Sequence, residues 1–267
     1  MSEKIHSEII WAWSPDEAAS FPPDRFHHFP ETGSTNDDLL AMARAGEARP
    51  YEVIAADFQS RGRGRRGDRW EAPAGRNLLF SLALPLVGDR ALWPRLPHLT
   101  AKLVGSAVED VLGPGQKLAS KWPNDLLHEG RKLAGILVEI VLTPTPVAVV
   151  GVGLNVNLRH DELPPDLRPI ATSLYELIGC ESSRWFLLGL ILRGFLREYP
   201  ARIGDFKPVL DWIRPRDFLV GQSLSLRVGR DRIEGLASGI GDGGELIVET
   251  GGGELVKVVS AEEILRR

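Results

Sequence analysis

Apolar side chains recur every fourth position at Leu99, Leu103, Ala107 and Val111, which predicts an amphipathic helix that Gly113-Pro114-Gly115 ends. Leu39, Leu40 and Ala43 predict a shorter helix, capped at Asn36 or Asp37 and closed by Gly46. A third helix is expected over about 183–199, from the apolar set Trp185, Leu188, Leu192 and Phe195. Strands are expected over 51–58, 77–84 (stopped by Pro85), 118–122 and 135–142, with Asn124-Asp125 and Glu129-Gly130 in turns. Residues 147–152 form a continuous apolar run, as expected of a buried strand.

The two ends of the chain read differently. Residues 1–30 mix aromatic residues and prolines without a clean period. They are expected to form an extension packed on the main domain, with one strand around 7–13. After Pro215, short β-rich runs at 223–228, 232–240, 245–249 and 255–259 alternate with glycine-rich turns, which predicts a small barrel. The expected organisation is therefore an extension over 1–30, a main domain over 31–215 and a small domain over 216–267.

Composition narrows the class. The 267 residues are 43% hydrophobic and 25% charged, with 32 Lys+Arg against 36 Asp+Glu and a net charge of −4. These globular values exclude a disordered acidic tail, a collagen-like chain and a disulfide scaffold. A lone cysteine, Cys180, cannot form an intrachain disulfide. No apolar run is long enough for a transmembrane helix and no leader is evident, so a cytoplasmic protein is expected, with no membrane partner. Net acidity argues against bulk nucleic-acid binding. The six histidines lack metal spacing, and no Gly-x-Ser-x-Gly elbow occurs.

One run departs from this composition. Residues 59–70, Gln-Ser-Arg-Gly-Arg-Gly-Arg-Arg-Gly-Asp-Arg-Trp, set five arginines among three glycines. Arginine supplies forked donors for carboxylate or phosphate, and glycine lets backbone approach a ligand. The run is not a Walker A loop, since no Gly-Lys-Ser/Thr follows. Its Gly-x-Gly-x-x-Gly match is weak because Trp70-Glu71-Ala72-Pro73 breaks any helix. A solvated basic turn and an arginine–glycine RNA patch are the competing readings. A single run between apolar strands favours a loop for an anionic ligand. Ordering such a loop costs about 1–2 kcal/mol of backbone entropy per residue, so it is expected to be mobile when empty and to close over its ligand.

Three further constellations carry chemistry. Ser34-Thr35-Asn36 is an ordinary N-cap and also a cluster of hydrogen-bonding groups suited to a polar ligand head. Lys121-Trp122-Pro123-Asn124-Asp125, with Lys132-Leu133-Ala134-Gly135, places two lysines and a carboxylate near one hairpin mouth. The lysines suit phosphate or carboxylate, and Asp125 suits a divalent metal. Gly151-Val152-Gly153-Leu154-Asn155-Val156-Asn157 reads either as a bulged strand end or as a segment that something approaches closely.

Glu-Thr-Gly-Ser-Thr-Asn-Asp, Gly-Arg-Gly-Arg-Arg-Gly-Asp-Arg-Trp, Lys-Trp-Pro-Asn-Asp-Leu-Leu with Arg-Lys-Leu-Ala-Gly-Ile-Leu-Val-Glu, and Gly-Val-Gly-Leu-Asn-Val-Asn occur in one order, and in this the chain resembles the biotin protein ligases, or biotin–[acetyl-CoA-carboxylase] ligases. The resemblance runs from about Thr32 to the C-terminus. It implies an α+β fold, with a mixed β-sheet catalytic domain flanked by helices and a small C-terminal SH3-like β-barrel. It implies a ligase that uses ATP and Mg2+ to convert biotin to biotinoyl-AMP. The biotin then passes to a lysine on the biotin carboxyl carrier domain of acetyl-CoA carboxylase or a related carboxylase.

The resemblance also implies residue roles. Ser34, Thr35, Asn36, Gln59, Arg63, Gly64, Arg65 and Lys132 line the biotin site. Arg65, Arg66, Trp70, Lys121, Asn124 and Asn155 surround the nucleotide, and Asp125 holds the metal. Lys132, Arg65 and Arg63 act as the catalytic cations. Too little chain precedes Ser34 for the winged helix of repressor members, so the expectation is a ligase that does not bind DNA. A homodimer is left open. The alternatives are a lipoate–protein ligase of the same fold, a non-catalytic binder of biotin or nucleotide, and an arginine–glycine RNA-binding module.

Overall fold

The computed structural model describes residues 2–266, the side chains of Ser2 and Arg66 excepted. The chain begins with two short helices, α1 (Ser2–Ile9) and α2 (Pro15–Ala19). Seven strands then build one sheet: β1 (Phe26–Thr32), β2 (Val53–Gln59), β3 (Leu78–Pro85), β4 (Ala119–Lys121), β5 (Asp125–His128), β6 (Arg131–Val141) and β7 (Val147–Leu154). Their order is β1-β2-β3-β7-β6-β5-β4, with β1 parallel to β2 and the other pairings antiparallel. Two longer helices, α3 (Thr35–Ala45) and α4 (Leu96–Leu112), interrupt the strands. Four more follow: α5 (Leu174–Ile178), α6 (Arg184–Glu198), α7 (Ala201–Gly204) and α8 (Lys207–Ile213).

Alternation along the strands assigns the helices to opposite faces of the sheet. Val53, Ala55, Leu82 and Val150 join the large core that includes Leu99 and Leu103 of α4 and Leu188 and Leu192 of α6. Ile54, Ala83 and Val149 point the other way and pack under Leu39, Leu40 and Ala43 of α3. The periodicity of α4 thus serves the expected purpose. Ser34 is the N-cap of α3, its Oγ accepting from Asp37 N at 3.4 Å, so the helix starts two or three residues earlier than a cap at Asn36 or Asp37 would place it. Gly46 closes that helix at φ 76°.

The extension corrects one expectation. Residues 2–9 are helical, so the strand around 7–13 does not form. Ile5 and Ile9, four residues apart, are buried on one face of α1. The helix crosses α6 so closely that a Cβ on Gly189 would lie 2.0 Å from the Ile9 carbonyl oxygen. Glu17 adds ion pairs to Arg193 and Arg197 of α6. Strand β1 had no separate signal because its sequence, Phe-His-His-Phe-Pro-Glu-Thr, carries no alternation.

A second sheet of five antiparallel strands follows: β8 (Ser223–Val228), β9 (Asp231–Ile240), β10 (Leu246–Thr250), β11 (Leu255–Val258) and β12 (Glu263–Arg266), in the order β11-β10-β9-β8-β12. Strand β12 goes beyond the four expected runs. The resulting small β-domain is of SH3-like form. The carbonyl oxygen of Gly244, in its 241–244 turn, accepts from His98 Nε2 at 2.8 Å and from Trp122 Nε1 at 3.1 Å, which ties the second sheet to the first. No helix among the described residues is long and apolar enough to cross a membrane.

Candidate active site

A cavity of about 250 Å³ opens where the N-terminus of α3 meets the sheet. Four segments far apart in the chain line it. Ser34, Thr35 and Asn36 come from the start of α3, and Gln59 from the end of β2. Gly64, Arg65 and Trp70 come from the arginine–glycine loop, joined by Arg63. Lys121, Asn124, Asp125 and Lys132 come from the β4–β6 hairpins. The resemblance assigned all of these residues to the site.

One end of the cavity is a hydrogen-bonded polar cluster. Gln59 Oε1 accepts from Thr35 N at 2.8 Å and from Thr35 Oγ1 at 3.1 Å. Ser81 Oγ lies 2.8 Å from Thr35 Oγ1 and 2.6 Å from Asn36 Oδ1. Asn36 Nδ2 donates to Glu139 at 2.8 Å. Ser34, Thr35 and Asn36 are buried, so these bonds fix their rotamers.

The floor explains the glycines of β7. A Cβ on Gly151 would fall 2.1 Å from Asn36 Oδ1, and one on Gly153 would fall 2.5 Å from the Trp70 ring. Gly135 pairs with Gly153 across β6 and β7 and also lies under Trp70, with its Cβ position 2.9 Å from the ring. Glycine is therefore required for close approach, and the groups approaching are two side chains of this protein.

The other end is cationic. Lys132 Nζ lies 2.8 Å from Asp125 Oδ1 and 5.6 Å from the Trp70 ring centroid. Its backbone is clamped by bonds from Lys132 N to Ile170 O at 2.7 Å and from Thr172 N to Lys132 O at 2.9 Å. Burial pushes the Lys121 ammonium below its usual range. Asp125 opposes that shift, and Arg266 and Lys132 add to it. Arg65 Nη1 reaches Asn124 Oδ1 at 3.4 Å. Asn124 is itself held by Nδ2 donating to Ile136 O and Ile136 N donating to Asn124 O, both at 2.9 Å.

Arg63 differs from the other cations. Its Nη2 lies 2.6 Å from Asp37 Oδ1 and 2.8 Å from Glu139 Oε2. Burial works to lower its pKa, but the two carboxylates more than offset this and raise it. Asn155 is not among the cavity-lining residues. Its Oδ1 accepts from Asn77 Nδ2 and its Nδ2 donates to Thr172 O, both at 2.9 Å, so it braces the segment that clamps Lys132. The Arg66 side chain, expected near the nucleotide, lies outside the described residues.

Several lining or supporting residues had not been anticipated. Glu139 and Asp37 had a faint signal, as acids beside an apolar run and a helix start. Ile264 of β12 also lines the cavity, and nothing local in the sequence points to it. No group of three or more His, Cys, Asp or Glu among the described residues could cage a metal. Asp125 and Asp68 are the carboxylates on the cavity wall. That donor set suits a magnesium ion carried in by phosphates, which takes only one or two protein carboxylates.

Comparison with known proteins identifies the family. The model of the Biotin/lipoate A/B protein ligase family matches residues 29–157. The biotin–[acetyl-CoA-carboxylase] ligase of Mycobacterium tuberculosis is 34% identical over 88% of this chain and 86% of its own length. That of Paracoccus denitrificans is 33% identical, over 87% and 97%. The structure of the Aquifex aeolicus biotin protein ligase in complex with biotin and ATP superposes with a TM-score of 0.76, at 26% identity, over 91% of this chain and 99% of that one. Identity of this extent over most of both chains shows that the chain belongs to the biotin protein ligase family.

Proposed function

We propose that this chain is an ATP-dependent biotin–protein ligase acting in the cytoplasm on a biotin carboxyl carrier domain. The observation that carries the reading is the cavity itself, which joins a neutral hydrogen-bonding end to a cationic end. The polar cluster of Thr35, Asn36 and Gln59 suits the ureido head of biotin. The surplus of cations around Lys132 suits a carboxylate meeting a triphosphate.

In the first step a biotin carboxylate oxygen bonds to the α-phosphorus, and the bond to pyrophosphate breaks. Two anions must meet, so Lys132 and Arg65 lower their repulsion and stabilise charge on the phosphoryl oxygens. Lys121 adds positive potential, and the Trp70 ring offers a face to the nucleotide. Magnesium, held by the phosphates with Asp125, would offset phosphate charge when bound. In the second step the ε-amine of the carrier lysine bonds to the acyl carbon, AMP leaves, and the amine gives up a proton. The arginine–glycine loop keeps water from the anhydride between the two steps.

The test is ATP–pyrophosphate exchange with biotin, with lipoate and with neither, followed by mass analysis of a carrier domain. Biotin-dependent exchange and a single biotinoyl mass shift are expected. Exchange with lipoate alone would move the chain to the lipoate branch of the fold, and exchange with neither acid would leave a binding protein.

A further inference from the structure

Arg63 turns out of the arginine–glycine loop towards a pair of carboxylates on other elements. Glu139 of β6 receives it in a fork, at 2.8 Å from Nη2 and 3.3 Å from Nη1. Asp37, in the first turn of α3, lies 2.6 Å from Nη2. The same Glu139 oxygen accepts from Asn36 Nδ2 at 2.8 Å, so the ion pair is joined to the polar end of the cavity. Within the loop, Arg63 is bridged to Arg69, Gly64 N donates to Asp68 O at 2.7 Å, and Trp70 N donates to Gly62 O at 3.0 Å. Fixing Arg63 therefore fixes the loop that carries Arg65 and Trp70.

We propose that Asp37 and Glu139 form a carboxylate clasp on Arg63 that holds the 61–70 loop down over the cavity, making both acids positioning residues for closure and for retention of the bound acid. The proposal rests on the biotin-ligase reading for the identity of that acid, but not for the clasp itself. Three features support it. One cation faces two carboxylates, more negative charge than a simple ion pair needs. The fork to Glu139 is directional, as guanidinium–carboxylate pairs are. All three side chains are only partly buried, with Asp37 47% exposed, so solvent and salt can reach the clasp and it can open.

The experiment uses the full chain with every loop arginine retained. Initial trypsin cleavage within 61–69 is followed by mass spectrometry for wild type, Asp37→Asn, Glu139→Gln and the double variant, at low and high salt. Glu139→Gln keeps an acceptor for Asn36, and Asp37→Asn alters a half-exposed position, so at least one variant folds. Loop cleavage is expected to rise by about 5-fold in the double variant. Salt should speed cleavage of wild type and leave the double variant unchanged, and Asp37→Glu should keep protection. In parallel, bound biotin should dissociate about 5-fold faster from the double variant. Equal loop cleavage in wild type and double variant at both salt concentrations overturns the clasp. Failure of wild type to bind biotin would overturn the functional reading, while the cleavage rates would still decide the clasp.

Discussion

The two ends of the cavity handle charge in opposite ways. At the Lys132 end, Lys132 pairs with Asp125, and Lys121, depressed by burial, is depressed further by the like charges of Arg266 and Lys132. Around Arg63, one cation meets two carboxylates and its charge is locked in place. A cation surplus is unfavourable until an anion arrives, which is why the proposed function puts phosphate at that end. A satisfied arginine offers little to an anion but ties two pieces of chain together. Residue type alone makes Arg63 and Arg65 look equivalent; their neighbours give them different work.

The largest effect should come from breaking the cationic end. Lys132→Ala is expected to lower biotin-dependent pyrophosphate exchange roughly 100- to 1,000-fold, as loss of a preorganised charge partner does. Arg63→Ala, at the compensated end, should cost about 5-fold by the same assay, the scale of a partly exposed ion pair. Equal losses in the two variants would remove the distinction between the ends. Next is the floor between them. Gly153→Ala drives a methyl group into the Trp70 ring. Overpacking of this kind costs about 1–3 kcal/mol, so the KM for ATP should rise by about 10-fold while biotin affinity changes less.

Asn36→Ala probes the polar end through stability. It strips Ser81 of one partner and Glu139 of its amide donor, so the unfolding free energy should fall by about 1–3 kcal/mol in urea titration. The smallest effect on activity is expected at His98, outside both ends. Burial lowers its pKa from 6.5 to about 4, with the Gly244 carbonyl and Glu245 opposing. The unfolded chain therefore takes up a proton more readily than the folded one. Its stabilising contribution is complete above about pH 6.5 and is lost as pH falls from there to about 4. His98→Gln should flatten this acid limb of the urea midpoint and leave exchange at pH 7.5 near wild type.

Much of the site was legible because the chemistry sits in short, compositionally unusual runs. Five arginines among glycines, two lysines beside Asn124-Asp125, and the alternating Gly151 and Gly153 stand out from an ordinary background. The partners of those runs were not legible. The glycines of β7 announced a close approach, but only the fold shows that Asn36 and Trp70 make it. Asn155, which the resemblance places near the nucleotide, is a buried side chain held between Asn77 and Thr172, partners the motif does not reveal. Residues 2–9 misread because aromatic neighbours hid a short helix whose buried face needs α6 to complete it.

The sequence by itself determined the elements with strong local signals: the fourfold spacing of α4, the valine run of β7, the glycine turns between β8 and β11, and the residue types of the cavity. These depend on periodicity and backbone preference, which act within a few residues. Tertiary structure decided which charges meet which partners. Glu139 reaches Arg63 across 76 positions of chain, and Ile264 reaches the cavity from the last strand. Coulombic and hydrogen-bond energies depend on distance in space and on burial, and neither is encoded in the spacing of residues along the chain.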